Sequence, residues 1–358
     1  MTAATPPVLV ARRPYRLQPE RLRELSLIAV IVVSIFVFNF LIEDYLSERF
    51  LNRISTGVTI TAILAAAQLV VILSRNIDLS LGSIVGITAY MTGEFVSANP
   101  GILPVLAIGL AVVLGAALGT VNGVLVAYGR VPSIIVTLGT LALYRSWLIE
   151  YGGARTITTD TLPDWIVSLP QVSLVSLGEL DLRLVFATVL VLVVVLQLAL
   201  SRLRWGRQLY ATGSNPEAAK QAGLPVQRRV LGAFILSGAL AGLAGFIFLS
   251  RFGTVNATAG SGLELQAVAA AVVGGASTMG GSGTVLGVFL GAILIDLLTQ
   301  SIPRVPGVSE FWRDGILGAL ILIGVTADFR LRERLKRQWG STRRPPAAPV
   351  PGLAGVDG

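Results

Sequence analysis

Long apolar runs, separated by short basic or glycine- and proline-rich stretches, set the pattern of this chain. Ten of these runs approach the roughly 20 residues that a helix needs to cross hydrocarbon. They cover 26–43, 56–74, 79–98, 102–127, 131–150, 182–200, 229–250, 264–281, 283–302 and 308–327. They predict an all-α polytopic membrane protein with about ten transmembrane helices. The third and eighth runs are short and rich in glycine, which predicts a broken or re-entrant backbone. Such backbone is tolerated at membrane depth only where protein or a watery cavity covers it.

The polar stretches give the orientation. Arg12, Arg13, Arg16, Arg21 and Arg23 precede the first run, and Arg330, Arg332, Arg334, Lys336 and Arg337 follow the last. Basic flanks stay in the cytoplasm. Both termini are therefore expected inside, with 1–25 as a cytoplasmic arm and 26–330 as the membrane domain. The region 331–358, basic and then rich in proline and glycine, reads as a disordered tail. The 202–229 loop carries Arg202, Arg204, Arg207, Lys220, Arg228 and Arg229 against one acid, Glu217, and falls inside. The 151–181 segment, with Asp160, Asp164, Glu179 and Asp181, falls outside.

Composition agrees. The chain is 53% hydrophobic and only 13% charged, where soluble domains carry about 25% charge. The net charge of +8 sits beside apolar runs, so it reads as membrane orientation and not as nucleic-acid binding. No cysteine or histidine is present. That excludes disulfides, thiolate chemistry and the commonest metal ligands, so no metal site is expected.

Small residues recur at four-residue spacing: Gly115, Gly119 and Gly123, then Gly238 and Gly242, then Gly287 and Gly291. Such faces let helices approach closely in lipid, chiefly as internal packing and alternatively as a subunit interface. Within the 202–229 loop, "SNPEAAKQAGLPVQRR" reads as a miniature helix over 216–222. Asn215 is its N-cap, Pro216 its first residue, Gly223 its C-terminal cap and Pro225 its stop. Two turns are unstable alone, so something must pack against them. Ala218 and Ala222 share one face, with Ala219 beside them. An ordinary linker between spans is the plainer alternative.

Here the chain resembles a known family. "EAAKQAG" is similar to the cytoplasmic loop of ABC-importer permeases that docks on the ATPase subunit. "LSRNIDLSLGSIVG" (73–86), "NGVLVAYGRVPSIIVTLGTLALYR" (122–145) and "SGLELQAVAAAVVGGASTMGGSGTVLG" (261–287) resemble the branch that imports ribose and related monosaccharides. The wording of 137–145 and the Arg75-Asn76 pair lean towards members importing rhamnose or the furanosyl signal autoinducer-2.

The resemblance implies a non-catalytic permease subunit in a bacterial inner membrane, translocating a monosaccharide. A separate ABC ATPase subunit would bind ATP and Mg, a periplasmic binding protein would deliver the sugar, and a second permease copy or a paralogue would complete the path within the lipid. The same build importing autoinducer-2 or a nucleoside is the nearer alternative. A self-contained secondary transporter is the further one. The chain itself holds no P-loop: neither lysine ends a glycine-rich turn, and "GGASTMGGSGT" lacks one. No cofactor is expected in this chain. Glu217, Ala218, Ala219, Gly223 and Pro225 are the expected ATPase-coupling residues. Candidates for a pore or gate are Asn76, Asp78, Gln68, Asn122, Thr137, Thr140, Glu264 and Gln266, which are polar residues on or beside predicted spans. Interhelical hydrogen bonding is their alternative role. For Asp78 the alternatives are a helix N-cap and a gate residue paired with Arg75. Glu94, Arg145, Asp296 and Asp314 also lie in or near apolar runs.

Overall fold

A computed structural model describes residues 19–153, 155–177 and 180–341. In chain order the helices are α1 (Pro19–Leu41), α2 (Glu48–Leu73), α3 (Leu81–Ala98), α4 (Pro104–Ala127), α5 (Ser133–Gly152) and the short α6 (Asp164–Ser168). A hairpin of β1 (Ser173–Leu177) and β2 (Leu180–Arg183) follows. Then come α7 (Leu184–Arg202), α8 (Arg204–Ser214), α9 (Pro216–Gln221), α10 (Val226–Phe252), α11 (Leu263–Val273), α12 (Val285–Ser301) and α13 (Trp312–Ser341). Each of the ten apolar runs contains one helix. Among the described residues, six helical stretches are long and apolar enough to cross a membrane: 23–41, 52–73, 104–127, 184–202, 226–252 and 285–304.

The bundle is built around α2, whose residues from Thr56 to Leu73 are all buried. Its sequence, "STGVTITAILAAAQLVVIL", is apolar or small on every face, and a helix hydrophobic all round belongs inside. Helices α7, α10, α11 and α12 surround it. At the rim, α1 turns Phe36 and Phe40 outward at 70% and 90% exposure, as lipid-facing residues do. Helix α10 packs along α4 through the glycine ladder. A Cβ at Gly115 would strike the carbonyl of Gly238, and one at Gly238 would strike that of Gly115. The four-residue glycine spacing is thus used for internal packing.

Three expectations change. The fold is not purely helical, because "SLVSL" and "LDLR" pair antiparallel as β1 and β2. In β2, Leu180 and Leu182 alternate with Asp181 and Arg183, a period of two that suits a strand and not a helix, whereas in β1 Leu174 and Val175 are adjacent and the register is irregular. Helix α1 begins at Pro19, so the end of the N-terminal arm is already helical. Helix α13 runs on to Ser341, because "LRERLKRQ" (331–338) consists of strong helix formers. The rest of the proposed arm, and of the tail beyond 341, lies outside the described residues.

Candidate functional site

The first polar cluster forms where α2 hands over to α3. Arg75 takes a left-handed conformation (φ 68°) just after α2, and the chain has no regular structure from there to Ser80. Asp78 is completely buried. Its Oδ1 accepts the Ser80 amide at 2.9 Å and the Ser80 hydroxyl at 2.6 Å. Asn122 of α4 donates to the same hydroxyl at 2.8 Å. From α5, Ser133 accepts the Ile77 amide at 3.2 Å, and Thr137 reaches the Ile77 carbonyl at 3.4 Å. Thr140 turns back onto the Thr137 carbonyl. Asp78 therefore holds Ser80, the N-cap residue of α3, without capping the helix itself, and α4 and α5 hold the same segment. Arg75 is exposed and forms no ion pair with Asp78 among the described residues.

Three of the candidates keep unused bonding capacity. Oδ2 of Asp78, Oδ1 of Asn122 and both amide atoms of Gln68 are buried without a protein partner. Gln68 lies a turn and a half before the end of α2 and is fully buried. Asn76 is local: its amide nitrogen bonds the Ser74 carbonyl and hydroxyl.

The second feature is the eighth apolar run, where only 263–273 is helical. After α10 the chain turns at Gly253 (φ 59°) and Val255 bridges to Ile157. It then descends without regular structure to Gly262. Arg145 of α5 holds this descent by donating through one Nη1 to the carbonyls of Ala257 (3.1 Å) and Ala259 (2.6 Å). Both bonds are part-buried, and each satisfies a carbonyl that no helix or strand partner serves. Helix α3 comes close enough that a Cβ at Gly82 or Gly86 would sit 2.5 Å from the Gly260 or Ala259 carbonyl. Thr254, Asn256, Thr258 and Ser261 are exposed while Val255, Ala259 and Gly260 are buried. One edge of the descent is thus polar and uncharged. At its foot Glu264 Oε1 accepts the Gly262 amide at 3.1 Å, its Oε2 has no protein partner, and Gln266 is half-buried. Helix α3, the other glycine-rich run, is unbroken over 18 residues.

The third feature is α9. Asn215 Oδ1 accepts the Ala218 amide at 3.1 Å, and Gly223 ends the helix at φ 77°. Pro225 directly precedes α10. Glu217, Ala218 and Ala222 are exposed, whereas Ala219 is 5% exposed and faces the protein's own surface. The preceding helix α8 is tied to the bundle by Tyr210, which donates to the Gly283 carbonyl at 2.7 Å.

Residues 50–325 match the family described as branched-chain amino acid transport system, permease component. The chain belongs to this permease family. Similar proteins include the autoinducer 2 import system permease protein LsrC of Enterobacter sp. (strain 638), 39% identical over 292 residues that cover 80% of this chain and 81% of the relative. LsrC of Klebsiella pneumoniae is 39% identical over 280 residues (78% and 78%), and that of Escherichia coli O9:H4 36% over 293 (80% and 81%). No solved structure matches the chain. The protein is a membrane-spanning permease subunit of an ABC importer, a multi-pass protein of the inner membrane, and its relatives are transport subunits without catalysis of their own.

In this permease the candidates from sequence fall into separate groups. Asp78, Asn122 and Thr137 meet at the start of α3. Glu264 and Gln266 stand at the start of α11, and Glu217 to Pro225 form α9 and its caps. Gln68 stands alone on α2. Sequence reasoning missed what joins the groups. Ser80 and Tyr144 were passed over, yet Ser80 links Asp78 to Asn122, and Tyr144 bonds the Leu118 carbonyl at 3.0 Å. The contact of Gly82 and Gly86 with 259–260 was missed as well, although their four-residue spacing is the signal that a backbone lies close by.

Proposed function

We propose that this permease passes a small, uncharged, polyhydroxylated solute along the edge formed by Thr254, Asn256, Thr258 and Ser261. That polar edge on a broken span is the observation that carries the reading. Hydroxyl and amide groups can trade hydrogen bonds with a sugar hydroxyl by hydroxyl, and none of the four carries a charge that would hold the solute back. Autoinducer-2 is the solute favoured by the names of the similar proteins. A ribose- or rhamnose-like monosaccharide is the second reading, favoured by the motifs at 73–86 and 122–145.

In this reading all ten helices count as spans, with α11 completed by the irregular segment before it, and both termini are cytoplasmic. Support comes from the ends of the bundle. Arg23 near the start of α1 bonds the Gly275 and Val272 carbonyls, at the end of α11. The 274–284 loop contacts α8, so these parts share one end with α9. The 155–183 segment lies at the other end, where Ser250 near the end of α10 bonds Ile166. An ATPase subunit carrying ATP and Mg docks on α9. A periplasmic binding protein delivers the solute at the opposite end, and a second copy or a paralogue closes the path.

The test is uptake by a strain lacking this permease. Removal of autoinducer-2 from the medium and growth on ribose or rhamnose are followed with and without the gene on a plasmid. Restoration of one of the three identifies the solute, and restoration of none rejects the reading. Transport by the purified chain without an ATPase would favour a self-contained transporter instead.

A further inference from the structure

At the end of the bundle opposite α8 and α9, three arginines from three distant parts of the chain line one cavity of about 320 Å³. Arg53 comes from the second turn of α2, Arg251 from the last turn of α10, and Arg183 from the junction of β2 with α7. Thr56 and Gln171 add polar groups to the wall. The volume is in the range of small-molecule sites.

The three guanidinium groups are poorly served by the protein. Among the described residues no carboxylate oxygen lies within 4 Å of any of them, the ion pairs being Arg155–Glu94 and Arg313–Asp314. Arg183 Nε is buried with no acceptor, and its Nη1 touches the Pro170 carbonyl only at 3.5 Å. Arg251 lies over the ring of its neighbour Phe252 at 5.0 Å. It feels both the positive charge of Arg53 and the negative charge of Asp296. Asp296 also accepts from Gln300 one turn along α12 and makes no ion pair within 4 Å of Arg251 among the described residues. The cavity thus carries three positive charges against one buried negative charge nearby.

Bringing like charges together in a partly desolvated wall is unfavourable unless an anion joins them. Guanidinium forks match the oxygens of a phosphate, and three of them around one cavity exceed what a single carboxylate can use. The depth is informative too. The cavity lies at the ends of α2 and α10, the level at which lipid headgroups meet a membrane protein.

We propose that Arg53, Arg183 and Arg251 form a phosphate-binding site at this end of the permease. It takes the phosphate of an anionic lipid headgroup or a free phosphate of the same chemistry. The site is separate from the polar edge at 254–261, so it serves assembly or regulation and not solute passage.

The experiment uses the full-length permease co-purified with its ATPase. Native mass spectrometry measures retention of phosphatidylglycerol against phosphatidylcholine, and equilibrium dialysis measures binding of inorganic phosphate. Wild type is expected to retain phosphatidylglycerol selectively or to bind phosphate saturably. The pair Arg53→Gln and Arg183→Gln should lower that binding about tenfold or more, as loss of two charge-assisted hydrogen bonds requires. Arg53→Lys should fall between, since it keeps charge without the fork. Displacement of the lipid by inorganic phosphate assigns the phosphate group as the determinant; retention against phosphate assigns the whole headgroup. Arg53 is exposed, so Arg53→Gln tests the site even where the double variant fails to assemble. Absence of both ligands from wild type overturns the proposal, as does undiminished binding in the variants. Weakened docking of the solute-delivering protein, with lipid and phosphate binding unchanged, would reassign the arginines to a protein interface and overturn it as well.

Discussion

The amide of Gly281 donates to the carbonyl of Leu73 at 3.2 Å. This bond joins the end of the central helix α2 to the 274–284 loop after the broken span. Gly213 of α8 packs on the same carbonyl so closely that a Cβ there would collide with it. The helix that leads into α9 therefore meets, at one backbone oxygen, both the core helix and the loop below the proposed path. Gly213→Ala must push these apart, at a cost of about 1–3 kcal/mol by analogy with overpacked cores. The permease should still insert and bind its ATPase, while solute uptake falls severalfold or more. Uptake at the wild-type level would show that α8 is not mechanically joined to the gate.

Arg145 gives the second prediction. Its two bonds to the 257 and 259 carbonyls are charge-assisted, each worth about 1.5–3 kcal/mol. Arg145→Met takes the donor from both part-buried carbonyls. The irregular segment should loosen, seen as faster hydrogen exchange over 254–262 and loss of uptake. Arg145→Lys can serve one carbonyl at a time and should be intermediate. Equal uptake in all three proteins would remove Arg145 from the mechanism.

The glycines of α3 test the same packing from the other side. Gly86→Ala places a methyl 2.5 Å from the Ala259 carbonyl, and the backbone there cannot swing away as a side chain would. Uptake should fall, and combining Gly86→Ala with Arg145→Met should cost less than the sum of the two, since both act on one segment. Full additivity would mean that the two residues hold different things.

Helix positions were legible in the sequence because they depend on local composition: every apolar run holds its helix, and the capped helix at 216–222 appears as α9 with Asn215 and Gly223 in their expected roles. The glycine-rich eighth run also broke where small residues gather. What the sequence does not expose is proximity across the bundle. Nothing around Asp78 shows that Asn122 lies 2.8 Å from Ser80, and nothing near Arg145 announces the Ala257 carbonyl 112 residues away. The hairpin was missed for a different reason. Only "LDLR" alternates, "SLVSL" does not, and the pair adjoins the apolar run of α7.

Topology can be read by labelling, since the chain has no cysteine of its own. Arg207 and Asp164 are exposed positions at opposite ends of the bundle. Arg207→Cys should react with a membrane-impermeant maleimide only after the membrane is opened. Asp164→Cys should react in intact spheroplasts. The reverse pattern would invert the proposed orientation, and reaction of both in intact spheroplasts would exclude it.

The sharpest test of coupling lies in α9, and the structure changes which residue carries it. Ala219 was the obvious site for a bulky block from sequence, but its side chain faces the protein itself, and Leu224 donates its amide to the Ala219 carbonyl at 3.0 Å. Ala219→Arg would lever α9 off the bundle, so failure of that variant would say little about a partner. Ala218 and Ala222 are one turn apart on the exposed face, and arginine there leaves the Asn215 cap and the Gly223 turn untouched. Helix propensity changes little between alanine and arginine, so α9 should persist. Ala218→Arg and Ala222→Arg are therefore expected to insert normally and to melt within about 0.5 kcal/mol of wild type, as surface changes do. They should lose co-purification with the ATPase and uptake in parallel. The linker alternative requires the opposite, because a loop already rich in arginine would accept one more without effect. Normal uptake with normal ATPase association in both variants would defeat α9 as the docking element, while leaving the family of the protein unchanged.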